Sequence, residues 1–279
     1  MDDDAHELTR ILDLEQIELD MFRGFSPPRE HRRIYGGQVV AQALAAAYRT
    51  VEARVCASLH AYFIRPGDPS IPILYMAERD RDGRSFSVRR VVAIQNGAQI
   101  FNLAAVFQTP EGGLEHQLDM PDVPPPEGLL SEDQLRAEDW GESGRDPRPV
   151  EVRPINPPRR ADPGPKPARY DVWFRANVGV GDDLAANQCA LAYASDMTLL
   201  DASLRPHAAP WEELQVASLD HALWFHHRVD MSQWHLYVQD SPSASGGRGF
   251  NRGSVFTRDG RLVASAAQEA LIRRRVVAG

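Results

Sequence analysis

The chain has 279 residues, 43% of them hydrophobic and 25% charged, with a formal net charge of −8 and a pI near 5.6. That length can bury a substantial core and suggests about two domains. The acidic balance excludes a nucleic-acid protein built on a broad basic surface, and no apolar run approaches the roughly 20 residues needed to span a bilayer.

Met1-Asp2-Asp3-Asp4 is acidic where an export signal would begin basic and continue apolar, so the expected address is the cytoplasm. A short helix is predicted around Leu8–Leu14 and a strand over Ile17–Phe25. From Gln38 to Val51 the apolar residues Val39, Val40, Ala43, Leu44, Ala47 and Val51 recur at helical spacing. They predict a buried helix with one apolar stripe. Strands are predicted at Cys56–Arg65, Pro72–Arg81, Ser85–Gln95 and Gln99–Phe107. The turn signals Pro66-Gly67-Asp68, Asp82-Gly83 and Asn96-Gly97 separate them.

Thr109 to Ala168 holds thirteen of the chain's 21 prolines and little apolar content, which makes it a linker wrapping the surface, with a short helix possible at Leu129–Trp140. After it the first pattern returns. A strand at Tyr170–Val178 precedes a helix at Leu184–Asp196, then strands at Leu214–His227, Gln233–Asp240, Arg248–Thr257 and Arg261–Ile272. The spelling repeats too. Ser58-Leu59-His60-Ala61 matches Ser218-Leu219-Asp220-His221-Ala222, and Gly83-Arg84-Ser85-Phe86 matches Gly247-Arg248-Gly249-Phe250. Such self-similarity marks a duplicated unit. The expected organisation is a first unit at 1–108, a linker at 109–168 and a second unit at 169–279, with the two sheets pairing edge to edge so that no long strand stays exposed.

Differences between the copies are where chemistry is sought. Laying Gln42 on Gln188 sets Thr50 against Asp196. If the helix continues, Asp196 lies on an apolar stripe and needs a partner; if it stops at Ser195, Asp196 caps a following helix over Met197–Leu204. Ser218 is a strand hydroxyl, Asp220 an equally eligible carboxylate, and Gln268 an amide among alanines that needs hydrogen-bond partners. His221, His226, His227 and His235 cluster without metal-ligand spacing, so packing and hydrogen-bonding roles are expected and no metal. Cys56 and Cys189 have no paired spacing and read as buried thiols. There is no Gly-x-Ser-x-Gly elbow and no dinucleotide-binding loop.

Tyr35-Gly36-Gly37-Gln38, Tyr193-Ala194-Ser195-Asp196, Ser218-Leu219-Asp220-His221, Gly249-Phe250 and the run from Leu262 to Gln268-Glu269 together resemble the type II acyl-CoA thioesterases, over nearly the whole chain outside the linker. The resemblance implies an α+β tandem hotdog fold, each unit a long helix wrapped by an antiparallel sheet. It implies an acyl-CoA substrate, no cofactor, and assembly into dimers or tetramers. It also assigns water activation to Asp196, Ser218 and Gln268, with serine at 218 where the family usually has threonine, and so favours a catalytic Asp196 over a helix cap. Backbone N–H groups of Gly37 and Gln38 are expected to meet the developing oxyanion, and Arg84, Arg248 and Arg252 are candidates for the coenzyme's phosphates. Two other readings remain. A non-catalytic acyl-CoA-binding protein would keep the fold with a decayed site. A hotdog hydratase would need Gly-Asp-x-Asn-Pro-x-His, and Val180-Gly181-Asp182-Asp183-Leu184 lacks that histidine.

Overall fold

A computed structural model describes residues 7–27, 33–140, 148–156 and 164–275; Met1–Asp4, on which the expectation of no export signal rests, lies outside them. In chain order the first half contains α1 (Glu7–Leu12), β1 (Glu15–Glu18), β2 (Met21–Gly24), α2 (Gly36–Tyr48), β3 (Val55–Phe63), β4 (Ile73–Asp82), β5 (Phe86–Gln95) and β6 (Ala98–Gln108). A middle stretch carries α3 (Glu132–Trp140) and β7 (Val150–Pro154). The second half contains β8 (Val172–Ala176), α4 (Leu184–Ser195), α5 (Asp201–Leu204), β9 (Leu214–Ser218), β10 (Asp220–Phe225), β11 (His235–Ser245), β12 (Arg248–Thr257) and β13 (Leu262–Arg274).

One sheet joins both halves in the order β1-β2-β4-β5-β6-β3-β10-β13-β12-β11-β8-β7, with β9 also on β13. The seam is the antiparallel β3–β10 pair, registered from Asp220 opposite Tyr62 to Trp224 opposite Ser58. This edge-to-edge junction removes the longest open edges, and the strands left at the two ends, β1 and β7, have four and five residues. In each half the sheet curls round a long helix. The architecture is a tandem hotdog.

α2 and α4 lie against each other in the middle, with Gly37 near the end of α4 and Tyr48 bonded to Gln188 near its start, so they run antiparallel. Both are buried all round: every residue from Gly37 to Ala47 and from Asn187 to Ser195 is buried. A single apolar stripe was the expectation for α2. A stripe describes a helix with one solvent face, whereas α2 has sheet on one side and α4 on the other, which is why alanines dominate it. Its buried glutamine is satisfied, since Gln42 Nε2 donates to Ile11 O at 2.8 Å and Tyr75 donates to Gln42 Oε1 at 2.8 Å. Replacing the fully buried Leu44 with alanine in such a close-packed layer would cost about 2–5 kcal/mol.

Three sequence expectations need correction. The strand expected over Ile17–Phe25 is a tight hairpin, β1–β2, turned at Asp20 with φ 56°. The strand expected over Leu214–His227 is broken into β9 and β10. The third concerns the proline-rich stretch. It does not lie between the copies alone: Met120, Val123, Leu129 and Ile155 pack on Trp234 and on Trp173, Leu236, Phe256 and Leu262, outward-facing residues of the second half's strands. Trp173 Nε1 donates to Pro124 O at 2.8 Å, and β7 pairs with β8 from Val150 opposite Ala176 to Pro154 opposite Val172. This stretch therefore shields the outer face of the second half's sheet.

Candidate active site

The break between β9 and β10 builds the site. Ser218 pairs with Ala270 and Ala222 with Ala267, so the three residues Leu219, Asp220 and His221 face only Gln268 and Glu269. One extra residue makes a β-bulge. The extra residue is the Asp220 that interrupts the match between the two copies. Its carboxylate accepts the Glu269 N–H at 2.6 Å, satisfying a donor that the bulge would otherwise orphan. Asp220 is thus structural. Because a bulge resets the alternation of side chains, Ser218 and His221 both point inward at Gln268 on β13.

The second contribution comes from the end of α4. Asp196 occupies its C-cap position with φ −87° and ψ −11°. It does not cap a helix over Met197–Leu204, because α5 begins only at Asp201 with Leu200 at its N-cap. Carbonyls at the end of α4 accept tyrosine hydroxyls instead: Tyr35 donates to Tyr193 O at 2.8 Å and Tyr237 to Ser195 O at 3.0 Å. Burial holds both phenols well above their ordinary range, so they stay protonated donors. Gly253 leaves the room that the Tyr237 ring fills, since a Cβ there would lie 2.2 Å from Tyr237.

α2 makes the third contribution. Its N-cap residue, Tyr35, offers no side-chain cap, and the backbone N–H of Gly37, from the other half of the molecule, acts to lower the pKa of the Asp196 carboxyl. A carboxylate at a helix N-terminus is electrostatically favoured. The approach requires glycine twice. A Cβ on Gly36 would sit 2.6 Å from Asp196 Oδ2, and one on Gly37 would sit 2.3 Å from Tyr193 O.

Together these elements form one hydrogen-bonded chain. Ser218 Oγ donates to Asp196 Oδ1 at 3.1 Å, and Gln268 Nε2 donates to Ser218 Oγ at 2.6 Å. Gln268 Oε1 meets His221 Nδ1 at 2.9 Å, and His221 Nε2 meets Ser195 Oγ at 2.8 Å. An amide oxygen can only accept, so Nδ1 of His221 carries a proton. Asp196, His221, Ser195 and Gln268 are all buried. Desolvation raises the Asp196 carboxyl above the usual range, against the opposing pull of His221, Ser218, Gln268 and the Gly37 N–H. The arrangement can hold a polar molecule beside a carboxylate of enhanced basicity.

The comparisons with known proteins bear on what such a site belongs to. Residues 142–271 match the family model described as acyl-CoA thioesterase, and residues 26–108 match the acyl-CoA thioesterase N-terminal domain. Acyl-CoA thioesterase 2 of Haemophilus influenzae is 41% identical over 98% of this chain and 99% of its own length. The chain belongs to the acyl-CoA thioesterase family. Human acyl-coenzyme A thioesterase 8 is 38% identical, over 95% of this chain and 88% of its own. Among solved structures, acyl-CoA thioesterase II TesB2 of Mycobacterium marinum superposes with a TM-score of 0.81 at 42% identity, covering 96% of this chain and 98% of that one. A hot dog fold protein of Alicyclobacillus acidocaldarius, 21% identical, covers 97% of this chain and 99% of its own with a TM-score of 0.80, which supports the fold.

The structure brings Asp196, Ser218 and Gln268 together beside the start of α2, where Gly37 and Gln38 lie, and places the three candidate arginines away from them. Gly37 N–H acts on the Asp196 carboxyl to lower its pKa, and Gln38 N–H donates to Tyr35 O at 3.2 Å. Arg248 pairs with Glu269 at 2.8 Å and Arg252 with Asp240 at 2.8 Å, both on the outer face of the sheet. Arg84 lies in the β4–β5 turn near the Val55 end of β3, while Tyr62, opposite Asp220, marks the end nearer the bulge. The length of β3, roughly 26 Å, separates the two ends. Sequence reasoning gave His221 only a packing or hydrogen-bonding role and passed over Ser195. The one signal available was the unmatched residue Asp220, since an insertion within a strand of a repeat implies a bulge.

Proposed function

We propose that the protein hydrolyses the thioester of fatty acyl-CoA, releasing free fatty acid and CoA. The observation that carries the reading is the Asp196–Ser218–Gln268 chain, whose donors are fixed around one buried carboxylate in a member of the acyl-CoA thioesterase family. Water held by Gln268 Nε2 and Ser218 Oγ attacks the thioester carbonyl while Asp196 takes its proton as general base. His221 acts through Gln268. By occupying the amide oxygen it turns the N–H side of Gln268 toward Ser218 and Asp196. At the first turn of α2, Gly37 N–H meets the carbonyl oxygen as negative charge develops there, and Gln38 N–H, which donates to Tyr35 O at 3.2 Å, turns part of its bond to the same oxygen. We read residues 1–108 and 169–279 as the two units, joined by 109–168. The expected setting is a cytoplasmic homo-oligomer acting in fatty acid metabolism, and no helix among the described residues is long and apolar enough to cross a membrane.

Thiol release from short-, medium- and long-chain acyl-CoAs, with Asp196→Asn as control, tests the activity. Turnover that survives Asp196→Asn removes the carboxylate from the mechanism, and binding without turnover in the unaltered protein supports the non-catalytic alternative. A single turnover in oxygen-18 water then distinguishes direct attack by water from an acyl-Asp196 anhydride, because label retained in Asp196 indicates the anhydride.

A further inference from the structure

Ser195, the last residue of α4, is fully buried, and its side chain lies between two polar atoms. Its Oγ is 3.0 Å from Ala192 O in the preceding turn and 2.8 Å from His221 Nε2 on β10. Its own carbonyl accepts the Tyr237 hydroxyl, so the backbone of the residue is anchored as well. A hydroxyl carries one proton and donates fully to one acceptor at a time. Donation to Ala192 O would only repeat a contact that helical serines commonly make with the turn behind them. Donation to His221 Nε2 acts on the whole site. Nε2 is then the accepting nitrogen and Nδ1 the protonated one, which is the form that the Gln268 oxygen at 2.9 Å requires. A neutral ring of that tautomer is satisfied at both nitrogens, and it adds no charge to a buried site that already holds Asp196.

Without a donor at Nε2, the ring can carry its proton there instead. Nδ1 then needs a donor, and Gln268 must turn its NH2 toward the ring and its oxygen toward Ser218. That reversal takes the amide N–H away from Ser218 and draws the serine hydroxyl off Asp196. The two copies single out the same residues. Gln42 laid on Gln188 sets Arg49 against Ser195, and Gly97 laid on Gly260 sets Ala105 against Gln268. Arg49 is exposed and pairs with Asp13 at 3.4 Å, so α2 ends without a serine at this place and finishing the helix does not require one. His60, the counterpart of His221, is also exposed and meets the Trp224 ring edge-on, with centroids 5.1 Å apart. Only the half that carries the carboxylate joins helix end, histidine and amide into one chain.

We propose that Ser195 is a positioning residue: its hydroxyl donates to His221 Nε2, keeps the ring proton on Nδ1, and thereby holds Gln268 with its N–H toward Ser218 and Asp196. The kinetic consequence rests on the thioesterase reading, whereas the place of the proton is read without turnover. Nitrogen-15 NMR of the protein with labelled histidine, the His221 signals assigned by their loss in His221→Leu, should show a neutral ring protonated on Nδ1. In Ser195→Ala the ring should leave that state, and kcat on one acyl-CoA should fall about three- to tenfold with KM changed less than about twofold. Because Ser195 acts through His221, adding Ser195→Ala to His221→Leu should lower kcat by less than about twofold beyond His221→Leu alone. A ring protonated on Nε2 or on both nitrogens in the unaltered protein would overturn the proposal, and this readout decides even where a variant fails to fold. An unchanged ring state in Ser195→Ala, or losses that multiply in the double variant, would overturn it too, since a serine that only packs the helix end behaves in that way. Failure of the hydrolase reading looks different: no thiol release from the unaltered protein, with the ring state still measurable.

Discussion

Ser218 and His221 stand three residues apart along one strand path, yet both contact the same amide, Ser218 Oγ at 2.6 Å from Gln268 Nε2 and His221 Nδ1 at 2.9 Å from Gln268 Oε1. In an uninterrupted strand two residues at odd separation face opposite sides of the sheet. The bulge at Leu219–His221 brings them to one side, and Asp220 stabilises the bulge through the Glu269 N–H. An inserted residue thus grips both ends of Gln268 and fixes which way its amide points.

Removal of the carboxylate should separate function from stability. Asp196→Asn is expected to lower kcat about a thousandfold, within the usual range for losing a general base, with little change in KM. Because the buried charge is costly, the same variant should melt about 2–4 °C higher at neutral pH. Thiol-release kinetics and thermal denaturation measure the two effects, and a destabilised variant would contradict the burial argument.

The pH dependence follows from the raised carboxyl of Asp196. Only the ionised form is a base, so kcat/KM should fall on acidification through a midpoint above that of an ordinary aspartate, about 3.9. The stability effect has the opposite sign. A group whose folded pKa exceeds its unfolded value binds protons more tightly when folded, so its contribution is fully present below the unfolded pKa and is lost as pH rises through the folded one. The melting advantage of Asp196→Asn should therefore shrink toward acidic pH. Rate profiles and melting curves recorded over the same pH range check both signs.

His221 is expected to position rather than react. His221→Leu leaves Gln268 Oε1 without its donor and should reduce kcat about tenfold while KM holds, since the amide can then turn over. His221→Asn, which can still present an N–H near the Nδ1 position, should recover part of the loss. Equal defects in the two variants would point to packing alone.

At position 218 the hydroxyl is expected to matter more than the methyl that threonine would add. Ser218→Ala removes the bonds to Asp196 and Gln268 and should cut kcat about tenfold to a hundredfold. Ser218→Thr restricts the rotamer and should raise kcat about twofold. Steady-state kinetics on one acyl-CoA compares all three side chains.

Gly36→Ala tests the closeness of the two halves. Its Cβ would fall 2.6 Å from Asp196 Oδ2, so the carboxylate must move, and kcat should drop about a hundredfold with the fold retained. Circular dichroism and thiol release together check this, and undiminished turnover would show that Asp196 has freedom the packing denies it.

Much of the molecule is decided by local chemistry. Helical spacing in Gln38–Val51, turn signals at Asp82-Gly83 and Asn96-Gly97, and the recurrence of Ser-Leu and Gly-Arg-x-Phe in both halves are enough to order helix and strands and to reveal the duplication, because propensity and periodicity act over a few neighbours. The resemblance at Tyr193–Asp196, Ser218–His221 and Gln268 also points to which residues to examine. Other features depend on partners far away in the chain, and only tertiary structure decides them. Asp196 ends α4 instead of starting a helix, its carboxylate accepting from Ser218, 22 residues on, and packing against Gly36 in the other half. The turn in β1–β2, the bulge at Asp220 and the cover that the proline-rich stretch gives to Trp173 and Trp234 all arise from pairing and packing against distant strands, whose energies outweigh the local preferences that a sequence displays.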